Sequence, residues 1–320
     1  MRAIVVSELG GPEVLAAGEH PDPEPGPGEI IVETAAAGVN FIDIYRRSGV
    51  YTQPLPYVPG HEGAGVVVAV GEGVSGLAVG DRVAWHDAPG SYAERVVVPA
   101  ALAVPVPDDT DLIAAAAVML QGMTAHYLCR STFPVTEGTV TVVHAAAGGV
   151  GLLLTQMIKS LGGTVIATTS SAPKAALAEQ AGADYVVGYD EFGATARRVT
   201  DGRGVDVVYD GVGKSTFDAG LAALRPRGMM VLFGGSSGQV PPFDPQRLNS
   251  GGSLFLTRPT LAHYTADRGE LLWRATDVLT AVADGELNVR IGVEYSLAHA
   301  PQAHADLAAR RTTGKLLLIP

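Results

Sequence analysis

The stretch Thr139-Val140-Thr141-Val142-Val143-His144-Ala145-Ala146-Ala147-Gly148-Gly149-Val150-Gly151 reads as a β-branched apolar run, a turn of small residues and the start of an apolar helix. That order decides the fold. A strand that ends in a glycine turn and runs into a helix amino terminus gathers unpaired backbone N–H groups and the positive end of a helix dipole, the geometry that receives a diphosphate. Without a Cβ, Gly148 and Gly149 let the backbone approach such a ligand, and Gly151 lets the helix pack on its strand. Ala146 stands where the first glycine of the usual dinucleotide fingerprint falls. An ordinary βα turn carries a similar cluster, so the surrounding pattern has to decide.

Toward the carboxyl end, continuous apolar runs recur at 139–143, 164–168, 185–187, 205–209, 229–233 and 253–256, with helical patterns at 150–161, 173–180, 192–199 and 217–224. Strands apolar on both faces and alternating with helices imply a parallel sheet covered on both sides, a Rossmann-like doubly wound α/β domain. With that repetition behind it, the glycine turn reads as a dinucleotide site. A site for NADH normally carries Asp or Glu about 20 residues past the glycines, to bind the ribose hydroxyls. Here the second strand ends Thr168-Thr169-Ser170-Ser171 and no carboxylate follows until Glu179, whereas Lys174 offers an ammonium to a 2′-phosphate. These residues favour NADPH; the other reading of Lys174 is a solvated first-turn lysine.

Toward the amino end the texture differs. Short β-branched runs at 3–6, 29–34, 65–70, 81–85 and 93–98 are punctuated by Gly and Pro, and the Pro-rich residues 21–28 read as a turn between strands. Thr110-Asp111 caps an Ala-rich helix over 112–120. After residue 260 a helix at 271–283, a strand at 292–295, a helix at 301–309 and a strand at 316–319 leave the alternation and return to the first, mostly β domain. A length of 320 residues fits two domains at roughly 150 residues each.

Composition removes whole classes of function. With 47% hydrophobic and 17% charged residues the chain is not disordered, and its 40 glycines follow no three-residue period, so it is not collagen-like. The net charge of −11 and the scattered doublets Arg46-Arg47, Arg197-Arg198 and Arg310-Arg311 argue against nucleic-acid or anionic-membrane binding. One cysteine, Cys129, forms no internal disulfide and no Cys-rich zinc site, which suits a reducing cytoplasm. No run is expected to reach the roughly 18 apolar residues of a membrane span, and residues 1–8 lack a signal-peptide profile.

Three patterns compete with this reading. Gly60-His61-Glu62-Gly63-Ala64-Gly65, followed by Gly71 and Val74, matches the signature of zinc alcohol dehydrogenases, but a catalytic zinc needs three protein ligands and Cys129 falls within a helical pattern. Gly234-Gly235-Ser236-Ser237-Gly238 fits a hydrolase nucleophile elbow, yet Val240-Pro241-Pro242 opposes the helix that an elbow requires. His299 and His304 have no third partner in the sequence and read as ordinary solvent-facing or core histidines.

Nearly end to end, the chain resembles the zinc-independent NADPH:quinone oxidoreductases of the medium-chain dehydrogenase/reductase superfamily, the zeta-crystallin-like group. The resemblance rests jointly on Gly10-Gly11-Pro12-Glu13-Val14-Leu15, Val39-Asn40-Phe41-Ile42-Asp43, Arg47-Ser48-Gly49-Val50-Tyr51, residues 145–151, Val208-Tyr209-Asp210 and residues 254–259. It implies a GroES-like catalytic domain over 1–121 and 261–320 and a Rossmann NADPH-binding domain over 122–260. It also implies that Asn40 replaces the catalytic cysteine of zinc relatives, so no metal is expected. Asn40, Asp43, Tyr45 and Tyr51 would border nicotinamide and substrate, with Thr124 near the cofactor. Gly148, Gly149 and Val150 would hold the pyrophosphate, Ser170, Lys174 and Tyr189 the adenosine 2′-phosphate, and Phe233, Ser236, Phe255 and Arg258 the far side. His61, in place of a small or hydroxyl residue, and Gly235, in place of Asn or Gln, depart from the family pattern. A homodimer formed through the edge strand near 253–256 is also implied.

The activity so implied is reduction of a quinone by NADPH, with Tyr45 and Tyr51 stacking on the acceptor and Asn40 donating to its oxygen. Reduction of a 2-alkenal or enoyl thioester is the near alternative, in which Tyr45 or Tyr51 supplies a proton. A non-catalytic NADPH-binding structural or sensor protein is the alternative of another class.

Overall fold

In the computed structural model, which describes residues 1–320, seven strands come first: β1 (Arg2–Val5), β2 (Ala16–Glu19), β3 (Glu29–Val39), β4 (Gly63–Val70), β5 (Arg82–Trp85), β6 (Arg95–Pro99) and β7 (Val104–Pro105). A short helix, α1 (Phe41–Arg47), separates β3 from β4, and a long one, α2 (Leu112–Tyr127), follows β7 and runs on as a π-helical turn, Leu128–Thr132. Strict alternation then sets in: β8 (Val140–Val143), α3 (Gly149–Ser160), β9 (Thr164–Thr168), α4 (Ala172–Gln180), β10 (Tyr185–Val187), α5 (Phe192–Val199), β11 (Val205–Asp210), α6 (Phe217–Ala223) and β12 (Leu224–Leu232). Next come α7 (Gln246–Ser250), β13 (Phe255–Thr257), α8 (Leu261–Tyr264), α9 (Arg268–Ala283), β14 (Ile291–Ser296), α10 (Ala300–Ala308) and β15 (Lys315–Ile319). Two compact units result, Met1–Met123 with Thr265–Pro320, and Thr124–Tyr264.

In the second unit six strands pair in the order β10-β9-β8-β11-β12-β13, every pair parallel. Counted from β8 this is 3-2-1-4-5-6, the doubly wound dinucleotide order, whose direction reverses between β8 and β11. Because the strands are parallel, every strand's carboxyl end lies on one edge of the sheet. Val142, Ile166, Val208 and Met230 pack there against Phe192 and Ala196 of α5 and Phe217 and Leu221 of α6. These strands are apolar throughout because helices cover both faces.

The first unit is built on a mixed sheet, β14-β15-β3-β4-β5-β7, with β6 also paired to β3 and a separate antiparallel pair β1-β2. Only β14-β15 is parallel. The 11-residue β3 is the hub, and its far end positions the site: Val39 pairs with Leu316 on one side and Gly38 N–H donates to the carbonyl of Glu62 on the other. One register step further brings Asn40 beside Lys315. The two faces are filled by Ile4, Val39, Tyr92 and Leu318, and by Ile30, Val67, Val83 and Trp85.

One expectation needs correcting. The helical stretch Leu112–Thr132 has 21 residues and is apolar enough, by length and composition, to cross a membrane, but 72% of its apolar 18-residue window is buried inside the protein. It is apolar because it is a core helix.

Candidate functional site

The glycine turn is tight. Ala145 takes a left-handed φ of 52°, Ala146 N–H donates to Thr168 O (3.1 Å) and Gly148 N–H to Ala145 O (2.9 Å), and Gly148 then caps α3 in an extended conformation. The left-handed position therefore falls on an alanine. A Cβ on Gly151 would stand 2.5 Å from Ala145 O and 2.7 Å from Ala146 Cα, so only glycine lets α3 pack on this turn. The first intrahelical bond runs from Leu152 N–H to Gly148 O, which leaves the preceding first-turn N–H groups directed outward at the positive end of a 12-residue helix. That arrangement fits a dinucleotide diphosphate.

Gly148, Gly149 and Val150, Ser170, Lys174, Tyr189, Phe233, Ser236 and Arg258 all follow the carboxyl ends of β8, β9, β10, β12 and β13, on one sheet edge. Lys174 lies in the first turn of α4. The end of β9 carries no carboxylate. Phe255 stands apart: it opens the edge strand, pairs with Met229 below the end of β12, and is 56% exposed. Thr124 is buried within α2. Ser236 N–H donates to Gly211 O (3.2 Å), and no helix follows it before α7, so this is a loop at the carboxyl edge and not a nucleophile elbow.

His144, which the sequence reading passed over, joins the end of β9 to Tyr189 and Phe192. Its Nδ1 lies 2.9 Å from Thr168 Oγ1, and its ring packs edge-on to Phe192 (4.7 Å) and stacks on Tyr189 (5.9 Å). Burial pushes the imidazole down to about 4, so it is neutral at physiological pH.

In the first unit, Asn40 ends β3 and precedes α1. Asp43 Oδ2 accepts from Asn40 N–H (2.9 Å), capping the helix, and also from Tyr92 O–H (3.0 Å), which lies 3.0 Å from His304 Nε2. Burial raises the Asp43 carboxyl, lifts Tyr92 well above the ordinary tyrosine range and lowers His304 to about 3. His304 is thus a core histidine, with partners that sequence spacing did not disclose. Asp43 itself is 1% exposed and faces inward, where it holds α1. That helix carries Tyr45, whose ring meets Tyr51 edge-on at 5.8 Å, while Tyr51 N–H donates to Tyr45 O (3.1 Å). Tyr51 is 44% exposed, an open aromatic face.

The Asn40 amide is fully engaged. Its Oδ1 accepts from Lys315 Nζ (2.8 Å), and its Nδ2 donates to Glu62 Oε2 (2.7 Å) and Gly38 O (3.4 Å). Lys315 and Glu62 form a buried ion pair. Asn40 therefore has no amide hydrogen left for an acceptor in this arrangement, unlike the donor role expected from sequence. Glu62 belongs to the glycine-rich motif that drew attention to His61, and Lys315 is the one charge in Lys315-Leu316-Leu317-Leu318-Ile319. A cation opening an otherwise apolar strand was the available signal. His61 Nδ1 lies 3.5 Å from Asp87 Oδ1, and no three His, Cys, Asp or Glu side chains are grouped to hold a metal ion.

This architecture, a GroES-like unit with a doubly wound nucleotide-binding unit, defines a medium-chain dehydrogenase/reductase. Residues 26–108 match the alcohol dehydrogenase GroES-like domain and residues 149–265 the zinc-binding dehydrogenase family. The chain is 44% identical to the quinone oxidoreductase of Pseudomonas aeruginosa, covering 100% of this chain and 99% of that one. It is 39% identical to a 2-haloacrylate reductase from Burkholderia sp, covering 99% and 98%. Its structure matches that of Escherichia coli quinone oxidoreductase complexed with NADPH at a TM-score of 0.97, with 40% identity over 100% of both chains. Within the superfamily, the chain belongs to the quinone oxidoreductase family.

Proposed function

We propose that this protein is an NADPH:quinone oxidoreductase catalysing quinone + NADPH + H⁺ → hydroquinone + NADP⁺. The observation that carries it is the glycine turn opening α3 beside the switch point of the sheet, next to a β9 end without a carboxylate and with Lys174 in the first turn of α4. When bound, the dinucleotide supplies the two electrons. The first turn of α3, with Gly148, Gly149 and Val150, holds its diphosphate; Ser170, Lys174 and Tyr189 hold the 2′-phosphate end; Phe233, Ser236 and Arg258 line the same edge, with Thr124 behind.

Tyr45, on a helix held by Asp43, and Tyr51, past the end of that helix and bonded to the Tyr45 carbonyl, form the aromatic face for a flat acceptor. A quinone needs little acid assistance, so orientation and exclusion of water are the main tasks of these residues. We read the reaction as independent of zinc, because Glu62 is paired with Lys315 and His61, beside Asp87, belongs to no group of three ligand side chains. The exposed edge strand β13, with Phe255, is the proposed contact of a homodimer, which would give Phe255 an interface role in place of a cofactor contact. The buried single thiol of Cys129, pushed up to about 12, suits the reducing cytoplasm we assign.

The 2-haloacrylate reductase relative supports a second reading, reduction of an activated alkene with Tyr45 or Tyr51 as proton donor. Steady-state rates with 1,4-benzoquinone, 9,10-phenanthrenequinone and 2-hexenal separate the two. Faster turnover of the quinones is expected; faster turnover of the enal installs the second reading, and NADPH binding without turnover of any acceptor removes both.

A further inference from the structure

The Lys315–Glu62 pair lies against Asn40, the residue before α1, with its charges withdrawn from water, the side chains being 1% and 0% exposed. A buried ion pair gains little stability over an apolar pair of similar volume. What it provides is direction. Its cation lies on the oxygen of the Asn40 amide (2.8 Å) and its carboxylate on the nitrogen (2.7 Å), so the charges forbid the flipped amide. Glu62 is in turn fixed by Leu120 N–H, which donates to Oε1 at 2.6 Å. The space is reserved for the pair: a Cβ on Gly38 would meet Lys315 Cε at 2.8 Å and run into the Glu62 carboxylate. The backbone N–H of the same Asn40 is the donor to the Asp43 cap, so the residue the charges fix is the one from which α1, Tyr45 and Tyr51 start.

We propose that Lys315 and Glu62 are positioning residues for quinone reduction, a buried charge pair that sets the Asn40 amide and with it the start of the helix that carries Tyr45, to which Tyr51 is bonded just past the helix end. This rests on the reading of Tyr45 and Tyr51 as the aromatic face for the acceptor. It predicts that the pair acts on turnover and not on cofactor binding, because none of its contacts reaches the glycine turn.

The test compares the wild type with Asn40→Ala, Lys315→Met, the double variant Glu62→Gln/Lys315→Met, and Gly38→Ala. Melting temperature, NADPH affinity, and kcat and KM for 9,10-phenanthrenequinone are measured for each. Lys315→Met strands a buried carboxylate and is expected to lose both melting temperature and kcat. The double variant removes the stranded charge and is expected to recover the melting temperature, keep wild-type NADPH affinity and stay about tenfold or more below wild type in kcat. A double variant that recovers kcat along with stability makes the pair merely structural and overturns the proposal. Gly38→Ala displaces the pair with both charges kept, so it decides the matter if the double variant does not fold: reduced kcat at unchanged NADPH affinity supports the proposal, wild-type kcat overturns it. If Asn40→Ala keeps wild-type kcat, the amide that the charges set does nothing for turnover and the proposal is overturned, while the acceptor reading is judged separately by quinone turnover of the wild type.

Discussion

Two single residues carry the coenzyme argument. Lys174 is the cation proposed for the adenosine end, and a charge-assisted hydrogen bond to a phosphate is worth about 1.5–3 kcal/mol. Lys174→Ala should therefore raise KM for NADPH about tenfold or more and leave KM for NADH unchanged, which initial rates with each coenzyme would show. An unchanged KM for both would return Lys174 to the status of a solvated lysine, and equal losses for both would mean that it does not read the 2′-phosphate. Gly151 works by absence. An alanine there has to push α3 away from Ala145 O and Ala146 Cα, at a cost of about 1–3 kcal/mol in stability, and NADPH affinity should fall with it. Calorimetric titration of Gly151→Ala checks this. The role of Gly151 was legible because it depends on neighbours within one βα unit, and Lys174 is read from the same kind of local pattern. Lys315 was not, since its partner Glu62 is 253 residues away and only the pairing of β3 with β4 and β15 brings them together.

At the scale of elements, the alternating half was readable almost strand by strand, because doubly buried parallel strands are unbroken apolar runs between glycine turns. Where the reading failed, the cause is local. The long helix was expected to stop at residue 120, before Gln121-Gly122, yet α2 runs on to Tyr127: Gly122 is no stop signal, since its missing Cβ makes room for Val278 of α9, 2.7 Å from where a Cβ would stand. β2 went unnoticed because all four of its residues are exposed and lack an apolar alternation. α1 has only seven residues, and the Asn40 side chain before it is turned to Lys315 and Glu62. The edge strand β13 carries the dimer prediction. Phe255→Lys places a charge on the proposed contact and should convert a dimer into a monomer in light scattering; a monomeric wild type would remove the proposal.

For the whole molecule, acid is the sharpest stress. His144 titrates at about 4 in the folded chain and near the usual 6.5 when unfolded, because burial disfavours its charged form, with Asp210 opposing. The unfolded state therefore binds the extra proton. Stability from this group is complete above pH 6.5, falls by about 3 kcal/mol as the pH drops from 6.5 to about 4, and is level below. His304 acts in the same direction. Denaturant titrations of the wild type and His144→Gln across that range should show a shallower pH slope in the variant, and parallel curves would refute the assignment. The central claim is that the coenzyme is NADPH and the acceptor a quinone, without help from a metal. It is tested most directly by following coenzyme oxidation with 9,10-phenanthrenequinone after exhaustive dialysis against a chelator. The account predicts an undiminished rate with NADPH and one about tenfold or more slower with NADH. A rate abolished by the chelator and restored by zinc, or equal rates with both coenzymes, would contradict it.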